Sequence, residues 1–219
     1  MARRGDSMPL NLIIQEPALG AAWALAILFA MSIHECAHAV LATALGDSTA
    51  KDAGRLTLNP LAHVDLFGFV MLLLIGFGWG RPVPFDASQL RNRRWGPAMV
   101  ALAGPFANLV GLVLAGLALG VLDRTGALAP NNLLVFFLGF FFQINLVLLL
   151  FNCIPIPPLD GSKLLFGILD HPRFQAFRYT LEQRGPLLLL GLIILDSSFG
   201  GPILGRGFHA ILTWVAGFF

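Results

Sequence analysis

Residues 17–45 read PALGAAWALAILFAMSIHECAHAVLATAL. The stretch is rich in Ala and Leu and long enough to cross a bilayer with some tilt. Gly46 follows it as a C-terminal helix stop. Its strongly polar members are Ser32, His34, Glu35, His38 and Thr43. Three of them form His34-Glu35-Cys36-Ala37-His38, an H-E-x-x-H pattern. On a helix, residues i and i+4 share a face. Both imidazoles can then reach one metal ion while Glu35 projects beside it toward a water, which is the zinc-hydrolase arrangement. Two His and a Glu within one turn of an apolar helix are costly in a bilayer and mark a functional site by default. The bland alternative is a hydrogen-bonded polar cluster that only packs helices.

The rest of the chain has the same character. Of 219 residues, 57% are hydrophobic and 12% charged, against about 25% charged in a soluble domain. Phe occurs 19 times and Tyr once. Too few polar side chains exist to clothe a water-soluble globule, and disorder needs low hydrophobicity and high net charge. The sequence therefore predicts an integral membrane protein. Its net charge is +2, and no basic run is interleaved with aromatics, so no nucleic-acid partner is expected. Cys36 and Cys153 make no disulfide framework and read as small buried hydrophobes. Arg3 and Arg4 before an apolar run resemble a signal peptide, and Ala37-His38-Ala39 imitates its cleavage site. Cleavage is not expected, because the apolar run continues to Leu45 and a cut would sever H-E-x-x-H.

Three regions follow: an interfacial lead-in (1–16), a transmembrane core (17–170), and a C-terminal loop with membrane segments (171–219). Residues 47–59 form a polar loop in which 54–58 could be a short strand. Residues 60–79 are apolar but broken by Gly68, Gly76, Gly78 and Gly80. Residues 81–95 are polar and basic. Residues 96–122 predict a spanning helix containing Gly104-Pro105-Phe-Ala-Asn108, and residues 133–151 another, with Gln143 and Asn145. Then Pro155, Pro157 and Pro158 forbid regular helix before Asp160-Gly161, and a short helix follows at 162–169. Residues 170–185 are polar. Segments 186–195 and 202–219 are each short for a full span. The fold class is an all-α polytopic membrane protein with about four to five transmembrane helices plus a re-entrant loop, and with room for short β-strands.

A hydrolytic zinc site needs a third protein ligand and an open position. Asp160 stands out, since irregular backbone at membrane depth is tolerated only where protein shields it or a wet cavity adjoins it. A plain Asp-Gly turn explains the same residues equally well. Glu182, Asp170 and Asp196 are less constrained candidates.

His34-Glu35-x-x-His38, Gly104-Pro105-x-Ala-Asn108 and Asn152-x-x-Pro155-x-Pro-x-Leu-Asp160-Gly161 together resemble the site-2 protease family of intramembrane zinc metalloproteases. The stretch Ala53-Gly-Arg-Leu-Thr-Leu-Asn-Pro-Leu-Ala-His-Val-Asp65 is similar to its compact prokaryotic branch, which has no PDZ or CBS domain. The resemblance covers roughly residues 27–163. It implies His34, His38 and Asp160 as ligands of one Zn2+ per chain and Glu35 as the catalytic base. It implies Asn152 and Asn108 as contacts to the substrate backbone or the oxyanion, with Asn108 in the helix flanking the active site. Cys36 stands where the family usually has an aromatic residue; at i+2 from His34 it should point away from the metal. His63 and Asp65 read as a hydrogen-bonded structural pair.

The metal reading constrains topology. Call the N-terminal side of the first span X and the far side Y. If residues 60–79 span, Asp160 emerges on side X, away from the histidines. If they are re-entrant, Asp160 returns to side Y and meets them. Ligands of one ion must lie about 2 Å from it, so the metal reading requires the re-entrant form. Side Y then carries most of the Lys and Arg and is cytoplasmic, although a spanning segment would leave an equally clean bias. The implied protein lies in a prokaryotic cytoplasmic membrane with its active site opening to the cytosol. Its partners are the bilayer and a transmembrane protein or peptide substrate, and no oligomeric state is specified. An edge at residues 72–75 could receive the unwound substrate as an added strand, or could only pack against the first span. The alternative from another class is a membrane metal-binding or metal-transport protein without proteolysis. Such a carrier usually shows repeated halves, and no repeat is present.

Overall fold

A computed structural model describes residues 9–76, 78–198 and 204–219. Helix α1 (Pro9–Gln15) leads into α2 (Pro17–Ala44). Pro17 opens α2, where a missing N–H removes no helical hydrogen bond, and Gly46 follows its end at φ 109°. A single turn α3 (Thr49–Asp52) and a 3-10 turn at Pro60–Ala62 precede α4 (Leu66–Ile75). Then come α5 (Gly96–Thr125), α6 (Leu133–Asn152), α7 (Gly161–Ile168), α8 (Gln175–Ser198) and α9 (Leu204–Ala216).

Among the described residues, α2, α5 and α6 are the three helices long and apolar enough to cross a membrane. They pack pairwise against one another. Their shared interior is lined by small residues: Ala26, Ala30, Ala39 and Ala42 from α2, and Ala101, Gly104, Gly111 and Ala115 from α5. Small residues let backbones approach where lipid supplies no hydrophobic drive for helix association. Leu25, Phe29, Leu114, Leu117 and Leu134 face outward and exposed, a surface suited to lipid. The chain is an all-α integral membrane protein.

Residues 60–79 do not cross. Helix α4 has ten residues, about 15 Å of rise, half of a hydrocarbon core of about 30 Å. Gly76 ends it in the left-handed conformation at φ 76°. The chain then turns back: Val64 bridges Gly80 in the antiparallel sense, and the Arg81 amide donates to the His63 carbonyl at 2.8 Å. A Cβ on Gly78 would run into the Gly68 carbonyl oxygen, so the two limbs can close only on glycine. Entry and exit lie side by side, which makes the segment a re-entrant hairpin. Helix α5 therefore starts on side Y, α6 returns there, and Asp160 emerges on the side of the histidines.

Several sequence expectations are corrected. Residues 54–58 form turns and bends, and the Val64–Gly80 bridge is the β-pairing found among the described residues. Residues 72–75 belong to α4, so their backbone bonds are spent within the helix and offer no edge for strand addition. A short apolar run cannot be told as strand or helix by periodicity alone. Four to five spans were expected, and among the described residues three helices have the length and apolarity for one. Residues 175–185 are not a loop but the polar first half of α8, which continues through Pro186. Arg178 holds this half down, bonding Asp170 at 3.2 Å and lying over the Phe166 ring. The apolar remainder of α8, and the 13 residues of α9, each give only about 20 Å of rise. Residues 1–8, with Arg3 and Arg4, and residues 202–203 of the last expected segment lie outside the described residues. At the C-terminus Phe219 packs against Phe142 with ring centroids 5.9 Å apart.

Candidate metal centre

The i,i+4 spacing on α2 places His34 and His38 on its buried face, with their Nε2 atoms 3.0 Å apart. Helix rise puts them on the order of 10–15 Å inside the side-Y end of α2. The third group arrives from the proline turn after α6. Asp160 stands at the N-terminus of α7 but caps nothing there. Its Oδ2 instead lies 3.1 Å from His34 Nε2 and 3.3 Å from His38 Nε2. Asp160 thus does more than make an Asp-Gly turn.

Each imidazole is oriented from behind. His34 Nδ1 donates to Asn108 Oδ1 at 2.5 Å, and His38 Nδ1 donates to the Val100 carbonyl at 2.7 Å. Both Nε2 atoms are then left with lone pairs. With both imidazoles neutral, two imine nitrogens and a carboxylate oxygen converge, and Asp160 Oδ2 is buried without a hydrogen-bond partner. Three acceptors facing one point repel unless a cation sits among them. In a tetrahedral site with bonds of 2.0–2.1 Å, ligand atoms are separated by about 3.3 Å, close to the 3.0–3.3 Å found here. The donor set fits zinc with one open position. Among the described residues, His34, His38 and Asp160 are the group of His, Cys, Asp or Glu side chains that converges in this way.

Gly104 makes room for the centre. A Cβ there would lie 2.5 Å from His38 Nε2 and 2.6 Å from His34 Nε2. The α5 backbone thus forms one wall of the centre. Asn108, one turn on, is wholly buried and donates from Nδ2 to Asn145 Oδ1 at 2.8 Å and to the Ala30 carbonyl at 3.3 Å. Asn108 therefore supports His34, and no hydrogen bond joins Asn152 to the three acceptors. The Asn152 amide donates to Leu148 of its own helix at 3.0 Å.

Glu35 is half-buried between this centre and the hairpin neck; a Cβ on Gly80 would lie 3.9 Å from its Oε1. Among the described residues nothing hydrogen-bonds its carboxylate. Arg55, 5% exposed, closes the neck by donating to Ala62 O on the entry limb and to Arg81 O and Pro82 O on the exit limb. Its charge and that of Glu35 act on one another.

His63 and Asp65 do not pair. His63 Nε2 bonds the Thr57 carbonyl at 2.9 Å, while Asp65 caps α4 by accepting from the Gly68 amide at 2.7 Å. Each fixes the hairpin separately, because the His63 ring turns back to Thr57 while the Asp65 carboxylate turns forward to its own helix. Cys36 lines an apolar groove with Ile33, Ala37 and Val40, away from the acceptors, and is half-buried; Cys153 is exposed rather than buried. Asp47 joins the loop after α2 to the loop before α5. It accepts from Thr49 N and Oγ1 and, at 2.6 Å, from the Asp86 amide. Burial pushes its carboxyl up, but these hydrogen bonds outweigh burial and hold its pKa below the ordinary value.

Sequence reading missed three contributors: Asn145, the Val100 carbonyl and Arg55. Asn145 carried a signal, being with Gln143 one of two amides within an apolar span. A backbone carbonyl carries none.

Comparison with known proteins places the chain among relatives named zinc metalloproteases. The model of peptidase family M50 matches residues 114–192, a span that takes in Asp160 but not the H-E-x-x-H helix. Relatives carrying the name Putative zinc metalloprotease match more broadly. YwhC of Bacillus subtilis is 37% identical over 199 residues, 88% of this chain and 90% of its own. Rip2 of Mycolicibacterium smegmatis is 34% identical over 197 residues, 85% of this chain and 70% of its own. MJ0611 of Methanocaldococcus jannaschii is 42% identical over 103 residues, 46% of this chain and 49% of its own. No solved structure matches the chain.

Proposed function

The chain belongs to peptidase family M50, the site-2 protease family, and on that premise we propose that it is a zinc endopeptidase that cleaves transmembrane segments of other membrane proteins. The observation that carries this reading is the convergence of His34 Nε2, His38 Nε2 and Asp160 Oδ2 within 3.3 Å of one another, inside the helix bundle.

His34, His38 and Asp160 would hold the ion. Bound zinc lowers the pKa of water toward 7 and polarises a carbonyl. Glu35 supplies the proton chemistry: its carboxylate takes a proton from the attacking water and delivers it to the leaving amine nitrogen. Among the described residues no hydrogen bond engages it, which leaves it available as an acceptor. Asn152 would serve the oxyanion only after its amide leaves Leu148. Residues 81–86, which follow Gly80 beside Glu35, belong to no helix, and Val83 and Phe85 make no backbone hydrogen bond among the described residues. An unwound substrate would pair there as an added strand, in place of the helical residues 72–75. Side Y carries Lys51, Arg55, Arg81, Arg91, Arg93, Arg94, Lys163, Arg173, Arg178 and Arg184, which supports a cytoplasmic opening in a prokaryotic cytoplasmic membrane.

The test uses purified protein in lipid vesicles with single-span membrane proteins as substrates, together with metal analysis. Glu35→Gln should retain about one zinc per chain and lose cleavage, while His34→Ala should lose both. Cleavage by Glu35→Gln at the normal rate overturns the mechanism. Metal flux without cleavage would instead identify a carrier.

A further inference from the structure

The buried amide of α6 has no role in the chemistry described so far. Asn108 and Asn145 are both fully buried, in separate membrane helices. Their bonds run in one direction. His34 Nδ1 donates to Asn108 Oδ1, Asn108 Nδ2 donates to Asn145 Oδ1, and Asn145 Nδ2 donates to the Phe141 carbonyl at 2.7 Å. Gly111 leaves space for this contact, since a Cβ there would lie 2.8 Å from Asn145 Oδ1.

A carboxamide has an acceptor end and a donor end, and either can face a neutral imidazole. Were Asn108 reversed, its NH2 would face His34 Nδ1 and its carbonyl would face two other oxygens, Ala30 O and Asn145 Oδ1. Asn145 cannot reverse to relieve this, because the Phe141 backbone carbonyl only accepts. The series is therefore polarised from a fixed backbone oxygen to the far side of an imidazole. We propose that Asn145 is a positioning residue of the metal centre: by fixing the Asn108 carboxamide it sets the tautomer of His34, with the proton on Nδ1 and the lone pair of Nε2 free for the ion. This rests on the reading of His34 as a metal ligand. Partners that orient a ligating imidazole typically alter metal affinity 10–100-fold when removed.

The full chain, purified in detergent, is titrated with zinc against a chromophoric chelator. Asn145→Leu removes the acceptor that orients Asn108, and zinc affinity should fall about 10–100-fold. Asn145→Asp, protonated in this apolar setting, keeps one acceptor and one donor and should restore affinity to within a few-fold of the wild type. Wild-type affinity in Asn145→Leu overturns the proposal, as does equal weakening in both variants, which is the mark of a packing role. A second measurement requires no variant to fold: nitrogen NMR of imidazole-labelled, metal-free wild type should show His34 protonated at Nδ1, and protonation at Nε2 overturns the proposal. A wild-type chain that binds no zinc removes the metal reading itself, and this inference with it.

Discussion

The metal centre and the hairpin neck are held by opposite means, although a Gly80 Cβ would lie only 3.9 Å from Glu35. Within the bundle the supporting groups are neutral: two carboxamides and the carbonyls of Val100, Ala30 and Phe141. At the neck they are charged: Arg55 on three carbonyls, Asp47 on three donors, and Asp65 on an amide. Ions are expensive at membrane depth, so scaffolding there uses amides, whereas near water a full charge can be spent on ordering a loop. In the bundle the charged side chains left without a hydrogen-bond donor among the described residues are Asp160, whose buried Oδ2 faces the proposed ion, and Glu35 beside it. What marks the candidate site is the convergence of unpartnered acceptors, since the hairpin too has one buried unpartnered nitrogen, His63 Nδ1.

The contrast breaks most sharply at Gly104. Gly104→Ala would thrust a methyl group against both Nε2 atoms; a displacement of about 1 Å costs about 10²-fold in rate. Zinc content and cleavage should both collapse while the helical circular dichroism persists. Arg55→Gln tests the other region. Removing a charged donor from buried carbonyls should destabilise by about 3 kcal/mol, read as a lower thermal midpoint, with cleavage impaired but zinc retained. Loss of zinc there would mean that the two regions are not separable.

Asp47→Asn should be less stable than wild type by about 2 kcal/mol at neutral pH. Its folded pKa lies below the ordinary 3.8, so the carboxylate's contribution is present above that value and is lost as pH falls through the folded pKa. Unfolding midpoints of wild type and variant should therefore converge in acid. Asp65→Ala, which removes one helix cap, should cost about 1 kcal/mol and leave metal binding untouched.

Groups whose chemistry is rare in a bilayer were legible in the sequence. His34, Glu35 and His38 declared themselves by spacing, and the need for Asp160 to join them already demanded a re-entrant hairpin. Asn145 was visible, but its partner was not, because helix rotation decides which amides meet. The His63–Asp65 pairing failed because each side chain found a backbone partner on its own side, Thr57 before and Gly68 after. The helical state of α4, and of the first half of α8, depended on packing that a short apolar run or a Gly-Pro pair does not encode.

The ligands come from residues 34, 38 and 160. An ion shared among them is a reversible cross-link tying α2 to a turn more than a hundred residues later in the chain. Ligand that binds only the folded state adds about 2.7 kcal/mol at a concentration a hundred times its Kd. The lifetime of the folded chain would then track the supply of metal: chelation would loosen the turn after α6 from α2 before any helix unwinds, exposing the proline loop to proteolysis. The reactive centre would in this way also report whether the enzyme is loaded.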